Sequence, residues 1–73
     1  MKRTSVAELQ KEIGEAVSKA RREQGLTQQG LARVMKTRQA NISRIERGLQ
    51  NLSLDMLARL DNVLRLGLKI LVR

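Results

Sequence analysis

The chain contains no cysteine, no histidine, no proline and no aromatic residue. Without cysteine there can be no disulfide framework and no thiolate metal site, and a reducing compartment suits such a chain. Without histidine it lacks the commonest general base and the commonest metal ligand. An enzyme would have to gather carboxylates or lysines in a pocket. The acids Glu8, Glu12 and Glu15 are better read as charges along one exposed side of a first helix. Without aromatics the core must be made of Leu, Ile, Val, Met and Ala. No apolar run is long enough to span a bilayer. The first residues, MKRTSVAELQKEIG, are broken up by charge and hold no apolar stretch of the signal-peptide kind. The expectation is a cytoplasmic protein, not an enzyme, with neither metal nor cofactor. At 73 residues it reads as one small domain, 1–73, whose core is marginal enough to lean on a partner subunit or a ligand.

What is present is positive charge. The formal net charge is +8 and the pI about 11.4, a balance that suits nucleic acid, an anionic membrane or an acidic protein as partner. Between Gln24 and Leu54 the only acid is Glu46, against Arg33, Lys36, Arg38, Arg44 and Arg47. The middle of the chain is therefore its electropositive part.

Apolar spacing predicts four helices. Ser5-Val6-Ala7-Glu8 is a capping box, and Val6, Leu9, Ile13, Val17 and Ala20 then recur at three- and four-residue steps, giving a helix from about Val6 to Gln24 that Gly25 stops. Thr27 caps a short second helix, Gln28 to Met35, with Leu31, Ala32 and Met35 inward. Gly30 is a poor helix former inside it, worth about 1 kcal/mol less than alanine. After a break at Lys36-Thr37, a third helix is expected from about Arg38 to Arg47, with Ala40, Ile42 and Ile45 as its buried side and Gly48 as its stop. Ser53 caps a fourth, about Leu54 to Leu66, ended by Gly67. In the tail, LKILVR, Leu68, Ile70 and Val72 alternate as in a strand, although Leu64, Leu68 and Leu71 also fit a helix. Strand is preferred because β-branched residues gather after Gly67. A lone strand is unstable in water, and its simplest partner is the same segment, about 68–73, of a second copy.

Two short helices joined by a tight break and flanked by longer ones have the layout of a helix-turn-helix. Within TRQANISRIERG, residues 37–48, the two isoleucines anchor the third helix, leaving Gln39, Asn41, Ser43 and Arg44 around its outer side. Asn and Gln pair bidentately with adenine, and Arg with guanine, in the major groove. Gln28, opening the second helix, offers a backbone N–H and an amide to phosphate.

The stretch GLTQQGLARVMKTRQANISRIERG resembles the helix-turn-helix of the phage-repressor-like family of Cro and cI repressors and XRE regulators. The shared pattern is Leu26-Thr27-Gln28, Leu31-Ala32, Ile42-Ser43 and Ile45-Glu46-Arg47-Gly48. The resemblance implies an all-α, four- to five-helix repressor-like domain with its helix-turn-helix at about 28–47, here completed by a short C-terminal β-strand pairing across a dimer. It implies base contacts from Gln39, Ala40, Asn41, Ser43 and Arg44, a phosphate contact from Gln28, and a buried ion pair of Arg21 with Glu46. Arg38, Arg47, Gln50 and Asn51 are further candidates for phosphate. The chain also departs from the family pattern. Lys36 stands in the turn where glycine is common, Arg38 where a serine N-cap is usual, and Leu49 where a lysine or asparagine often meets phosphate, which leaves that contact to Gln50 and Asn51. The ending, SLDMLARLDNVLRLGLKILVR, is similar to HigA- and HipB-like antitoxins.

The functional expectation is a sequence-specific repressor that binds a pseudo-palindromic operator on double-stranded DNA as a homodimer. The resemblance of its ending further implies the autoregulating antitoxin of a type II toxin–antitoxin pair, with a cognate toxin as partner. A stand-alone phage-type repressor or a restriction-modification controller is the alternative within the same class. From another class comes a cationic amphipathic protein that binds membranes or nucleic acid without sequence preference. That reading fits less well, because the basic residues cluster on the motif and not along one amphipathic face.

Overall fold

The computed structural model describes residues 5–68. They form four helices, α1 (Val6–Glu23), α2 (Gln28–Met35), α3 (Gln39–Glu46) and α4 (Leu54–Leu64). There is no strand among the described residues. Three of the four starts are set by a hydroxyl. Ser5, Thr27 and Ser53 have extended backbone, and each accepts the N–H three residues on, from Glu8 at 3.1 Å, Gly30 at 2.9 Å and Met56 at 3.0 Å. The fourth start has no such cap. The Arg38 side chain accepts nothing. Instead Asn41 Nδ2 donates to Thr37 Oγ1 at 2.7 Å and ties the first turn of α3 to the break before it.

The first three helices end alike. Leu26 N–H reaches Arg21 O while Gly25 N–H reaches Arg22 O; Thr37 and Lys36 do the same to Ala32 and Arg33, and Leu49 and Gly48 to Arg44 and Ile45, all at 2.9–3.2 Å. This crossed pair of bonds needs a left-handed residue at its centre, a conformation that suits glycine. Gly48 meets the requirement at φ 71°, but in α2 the residue is Lys36, at φ 55°.

α3 packs on both α1 and α2, and α4 closes the other side of the same pair. The core is Val17, Leu31, Ala32, Met35, Ile42, Ile45, Leu60 and Leu64, each at most 3% exposed. Burying one such aliphatic side chain is worth about 1.5–3 kcal/mol, so eight of them with no aromatic leave little reserve once chain entropy is set against them. Gly14, buried in the middle of α1, sets the distance of closest approach. A Cβ there would lie 2.4 Å from Ile45 O and 2.7 Å from Glu46 O, so only glycine lets the two backbones meet.

Several sequence expectations are corrected. Val6 and Leu9 are 68% and 48% exposed, because the apolar stripe of α1 runs on past the core. Ala40 is exposed and does not belong to the buried side of α3, since residues two apart on a helix are about 200° apart and Ile42 occupies the inner side. α3 is one residue shorter at each end than expected, with Arg38 and Arg47 as its caps. α4 stops at Leu64, ahead of both Leu66 and Gly67. Its end is marked by Arg65, which turns left-handed at φ 54°; the Asp61 carboxylate accepts Leu68 N–H at 3.3 Å, and from across the fold Gln24 Nε2 donates to Leu64 O at 2.9 Å. Leu68 has no regular structure. The remainder of the expected strand, 69–73 with Ile70 and Val72, lies outside the described residues.

Candidate nucleic-acid interface

The orientation of α3 is fixed from inside before its outer face is considered. Ile42 and Ile45 are 0% and 2% exposed and anchor the helix against α1 and α2. Ala32 offers a small surface to the crossing. At the far end Arg21 Nε donates to Glu46 Oε2 at 2.6 Å and Arg21 Nη2 to Glu46 Oε1 at 3.0 Å, a two-pronged ion pair between side chains only 12% and 6% exposed. The third guanidinium nitrogen, Nη1, donates to Leu26 O at 2.8 Å, so the same arginine also holds the loop before α2. Gln28 Nε2 completes the cluster with a bond to Glu46 Oε1 at 3.1 Å. One carboxylate thus joins α1, α2 and α3. Burial pushes its pKa up, but the hydrogen bonds from Arg21 and Gln28 and the Arg21 charge outweigh that, and Glu46 titrates below the ordinary carboxylate value. The hydrogen bond to Glu46 in turn raises Arg21, against the opposing effect of burial.

With 3.6 residues per turn, Gln39, Ala40, Ser43 and Arg44 share one side of α3, and the Arg47 cap continues it. Gln39, Ala40, Arg44 and Arg47 are exposed and Ser43 half-buried. Asn41 is not brought to this face. It lies on the flank toward Ile45, half-buried, with one amide hydrogen committed to Thr37. Arg38, exposed, precedes the face at the N-cap.

The charges divide in a way that matters for binding. Arg21, Arg22 and Arg59 donate to acceptors of the protein itself, Arg59 to Met35 O at 2.6 Å and Arg22 to Ser18 O at 3.3 Å. Arg33, Arg38, Arg44 and Arg47, all on α2 and α3 or their caps, form no ion pair or side-chain hydrogen bond among the described residues. Arg65, at the end of α4, is the other arginine so placed among the described residues. The single acid between Gln24 and Leu54 is neutralised by Arg21, so no carboxylate of that stretch is left to offset the four guanidinium groups.

Of the other candidates, Gln28 is half-buried and shares its amide with Glu46; its backbone N–H, at the start of α2, points out of the helix without a partner. Gln50 is half-buried in the loop before α4, and the exposed Asn51 accepts from Gln10 Nε2, which leaves the Asn51 amide hydrogens to donate outward. Among the described residues no three His, Cys, Asp or Glu side chains gather as a metal site, and no helix is long and apolar enough to cross a membrane. Sequence reasoning missed Gly14, the Gln28–Glu46 bond and Thr37 as the partner of Asn41. Only Gly14 left a trace, as an isolated glycine inside a strong helical pattern.

Compared with known proteins, the chain matches a family model described as helix-turn-helix over residues 17–71, from the middle of α1 through the tail. No curated protein matches it.

Proposed function

Because the chain belongs to the phage-repressor-like, XRE-type helix-turn-helix family and is a DNA-binding regulator of that type, we propose that it is a sequence-specific transcriptional repressor acting as a homodimer. The observation that carries this reading is the outer face of α3. Gln39, Ser43 and Arg44 stand together on a helix held by a part-buried ion pair, in a stretch whose free charges are all positive. Gln39 and Arg44 are the base readers, Ala40 and Ser43 line the same edge, and Asn41 contributes from the flank through the part of its amide not used by Thr37. Gln28, Arg38, Arg47, Gln50 and Asn51 hold phosphates on either side. Phosphate contacts set the register and base contacts the sequence. Two copies place two such helices in successive major grooves about 34 Å apart, on a pseudo-palindromic operator.

The dimer is held through Leu68, Ile70 and Val72. In support, Leu68 lines a mostly apolar depression of about 300 Å³ with Leu54, Leu57, Ala58 and Asp61, and Leu54 itself is 76% exposed. That surface, away from α2 and α3, suits a second copy. The finer biological role is that of an autoregulating antitoxin, which rests on the similarity of residues 53–73 to that group.

The test is an anisotropy titration of the DNA upstream of the gene against a scrambled duplex of equal composition, at two salt concentrations. Preference for the upstream DNA should survive the higher salt, and Gln39→Ala and Arg44→Ala should each relax it by about 1–3 kcal/mol at one base position. Equal weakening on both duplexes would remove the base-reading roles. Deleting residues 68–73 should give a monomer at micromolar concentration in sedimentation; a truncated protein that stays dimeric refutes the clasp. Toxicity of a neighbouring gene, relieved by co-expression of this chain, supports the antitoxin role, and a neighbour without toxicity removes it.

A further inference from the structure

Between α2 and α3 lies an open depression of about 280 Å³, lined by Gln29, Ala32, Arg33, Thr37 and Gln39. We propose that it seats a backbone phosphate of the DNA, with Arg33 as the cation, so that α2 grips the strand bordering the groove that α3 reads. The proposal rests on the repressor reading only in taking Gln39 to be in the major groove.

Every side chain lining the depression except Ala32 carries a hydrogen-bonding group, and none is a carboxylate. Gln29 and Arg33 are four residues apart on α2, one above the other on the same side. Both are exposed. Thr37 Oγ1 accepts from Asn41 Nδ2, which leaves its hydroxyl hydrogen to be donated outward. The set is therefore a guanidinium, an amide and a hydroxyl, all able to donate. An anion with several acceptor oxygens satisfies them together, and a guanidinium fork fits phosphate in two-pronged fashion.

Charge points the same way. α2 contains no acid, and Arg33 has no ion pair or side-chain hydrogen bond among the described residues. Arg59, by contrast, is drawn onto the end of the same helix through Met35 O. A guanidinium on the wall of a depression lined by an amide and a hydroxyl, with no acceptor among the described residues, is available to an outside anion.

Position selects the phosphate. Gln39 is both the first residue of α3 and part of this lining. In a helix-turn-helix the first helix of the pair crosses the DNA backbone while the second enters the groove. If Gln39 reaches a base edge, the opposite wall, Gln29 and Arg33, stands over the strand that bounds that edge. Thr37, in the break between the helices, lines the depression with them.

The experiment compares wild type, Arg33→Ala and Arg33→Lys on the upstream and scrambled duplexes across a salt series. Arg33→Ala should weaken both duplexes by the same factor and lower the slope of log K against log salt by about 0.9 per copy. Arg33→Lys should keep the slope, because a point charge suffices for counterion release. A second arm replaces single phosphates of the upstream duplex with neutral methylphosphonates. One position per half-site should weaken wild type several-fold and leave Arg33→Ala unaffected. Equal melting temperatures of the three proteins exclude misfolding; should the alanine variant melt early, Arg33→Gln takes its place.

An unchanged slope with Arg33→Ala overturns the proposal. So does a loss confined to the upstream duplex and traceable to one base pair, which would make Arg33 a base reader. If wild type shows no preference between the duplexes, the repressor reading fails. The slope on scrambled DNA then still decides the phosphate site by itself.

Discussion

Replacing Gly14 with alanine sets two physical effects against each other, and the structure says which one wins. In a helix, alanine is favoured over glycine by about 1 kcal/mol. Propensity alone therefore predicts that Gly14→Ala stabilises the protein. The built Cβ, however, would sit 2.4 Å from Ile45 O, 2.7 Å from Glu46 O and 2.9 Å from Glu46 C. Carbon–oxygen contacts settle near 3.3–3.6 Å, so α1 and the end of α3 must part by roughly 1 Å. All three atoms are backbone, and none can swing aside. The displacement falls where Ile45 is buried and where Arg21 meets Glu46 at 2.6 Å, so packing and ion pair are disturbed together. Overpacking of this kind costs about 1–3 kcal/mol; with rigid neighbours the upper end applies, leaving a net loss of about 2 kcal/mol. For a domain of this size that is a fall in Tm of about 10 °C, readable by circular dichroism at 222 nm. Gly30→Ala is the control. It has the same propensity gain, but its nearest neighbour is Thr27 Oγ1 at 3.2 Å, followed by Leu26 Cδ2 at 3.6 Å, and it should melt within a few degrees of wild type. If Gly14→Ala melts as high as Gly30→Ala, α1 and α3 do not meet at this distance, and α1 does not set the position of α3.

Lys36→Gly should stabilise. The lysine occupies a left-handed position at φ 55° that costs an L-residue about 1 kcal/mol, so the variant should gain up to that much and melt a few degrees higher; a lower Tm would show that the lysine side chain contributes something outweighing its strain. Glu46→Gln should cost about 3 kcal/mol at neutral pH, because it leaves the Arg21 guanidinium part-buried without its counter-charge. The same variant should flatten acid unfolding. With the folded pKa of Glu46 below its ordinary value, wild type holds this contribution above the ordinary carboxylate range and loses it as pH falls through the folded pKa. Denaturant titrations between pH 7 and pH 3 read the slope, and equal slopes for the two proteins would mean that the pair is not what acid breaks.

The parts of the fold that could be read from sequence are those settled by local bonds. Ser5, Thr27 and Ser53 start their helices by accepting an N–H three residues away, and the whole transaction is contained in four residues. The inward positions of α2 follow from periodicity for the same reason. What could not be read depends on distant partners. α4 ends at Leu64, where Arg65 turns left-handed and Gln24, forty residues earlier in the chain, donates to the last carbonyl, and no pattern around Gly67 contains that information. Ala40 shows the limit of a composition argument: a small apolar residue beside two isoleucines looks like core, yet the helical angle turns it outward. Asn41 shows the converse, a side chain of the right chemistry for adenine that the fold half-commits to a threonine in the adjoining break. The residue types suited to reading bases could thus be gathered from the sequence, but which of them share a face could not.

The Gln28–Glu46–Arg21 cluster bears on how reading and grip are joined. Gln28 is a candidate for phosphate through its backbone N–H and its amide, and its amide already rests on Glu46. Glu46 is the last residue of the helix whose outer side carries Gln39, Ser43 and Arg44, and it is tied to α1 by Arg21. A shift of α3 in the groove therefore cannot occur without moving the group at the start of α2, and a phosphate that fixes Gln28 fixes the angle of α3. Short helices of eight residues are too short to hold such an angle by their own hydrogen bonds. In a core without a single aromatic ring, one part-buried carboxylate shared by three helices adds to the rigidity with which α3 is held. Base preference should accordingly suffer in Glu46→Gln even at temperatures where the variant is fully folded, since the direction of Gln39 and Arg44 is set by a bond that neither residue makes. If the folded variant discriminates between the upstream and scrambled duplexes as wild type does, Ile42, Ile45 and Gly14 alone suffice to aim the helix.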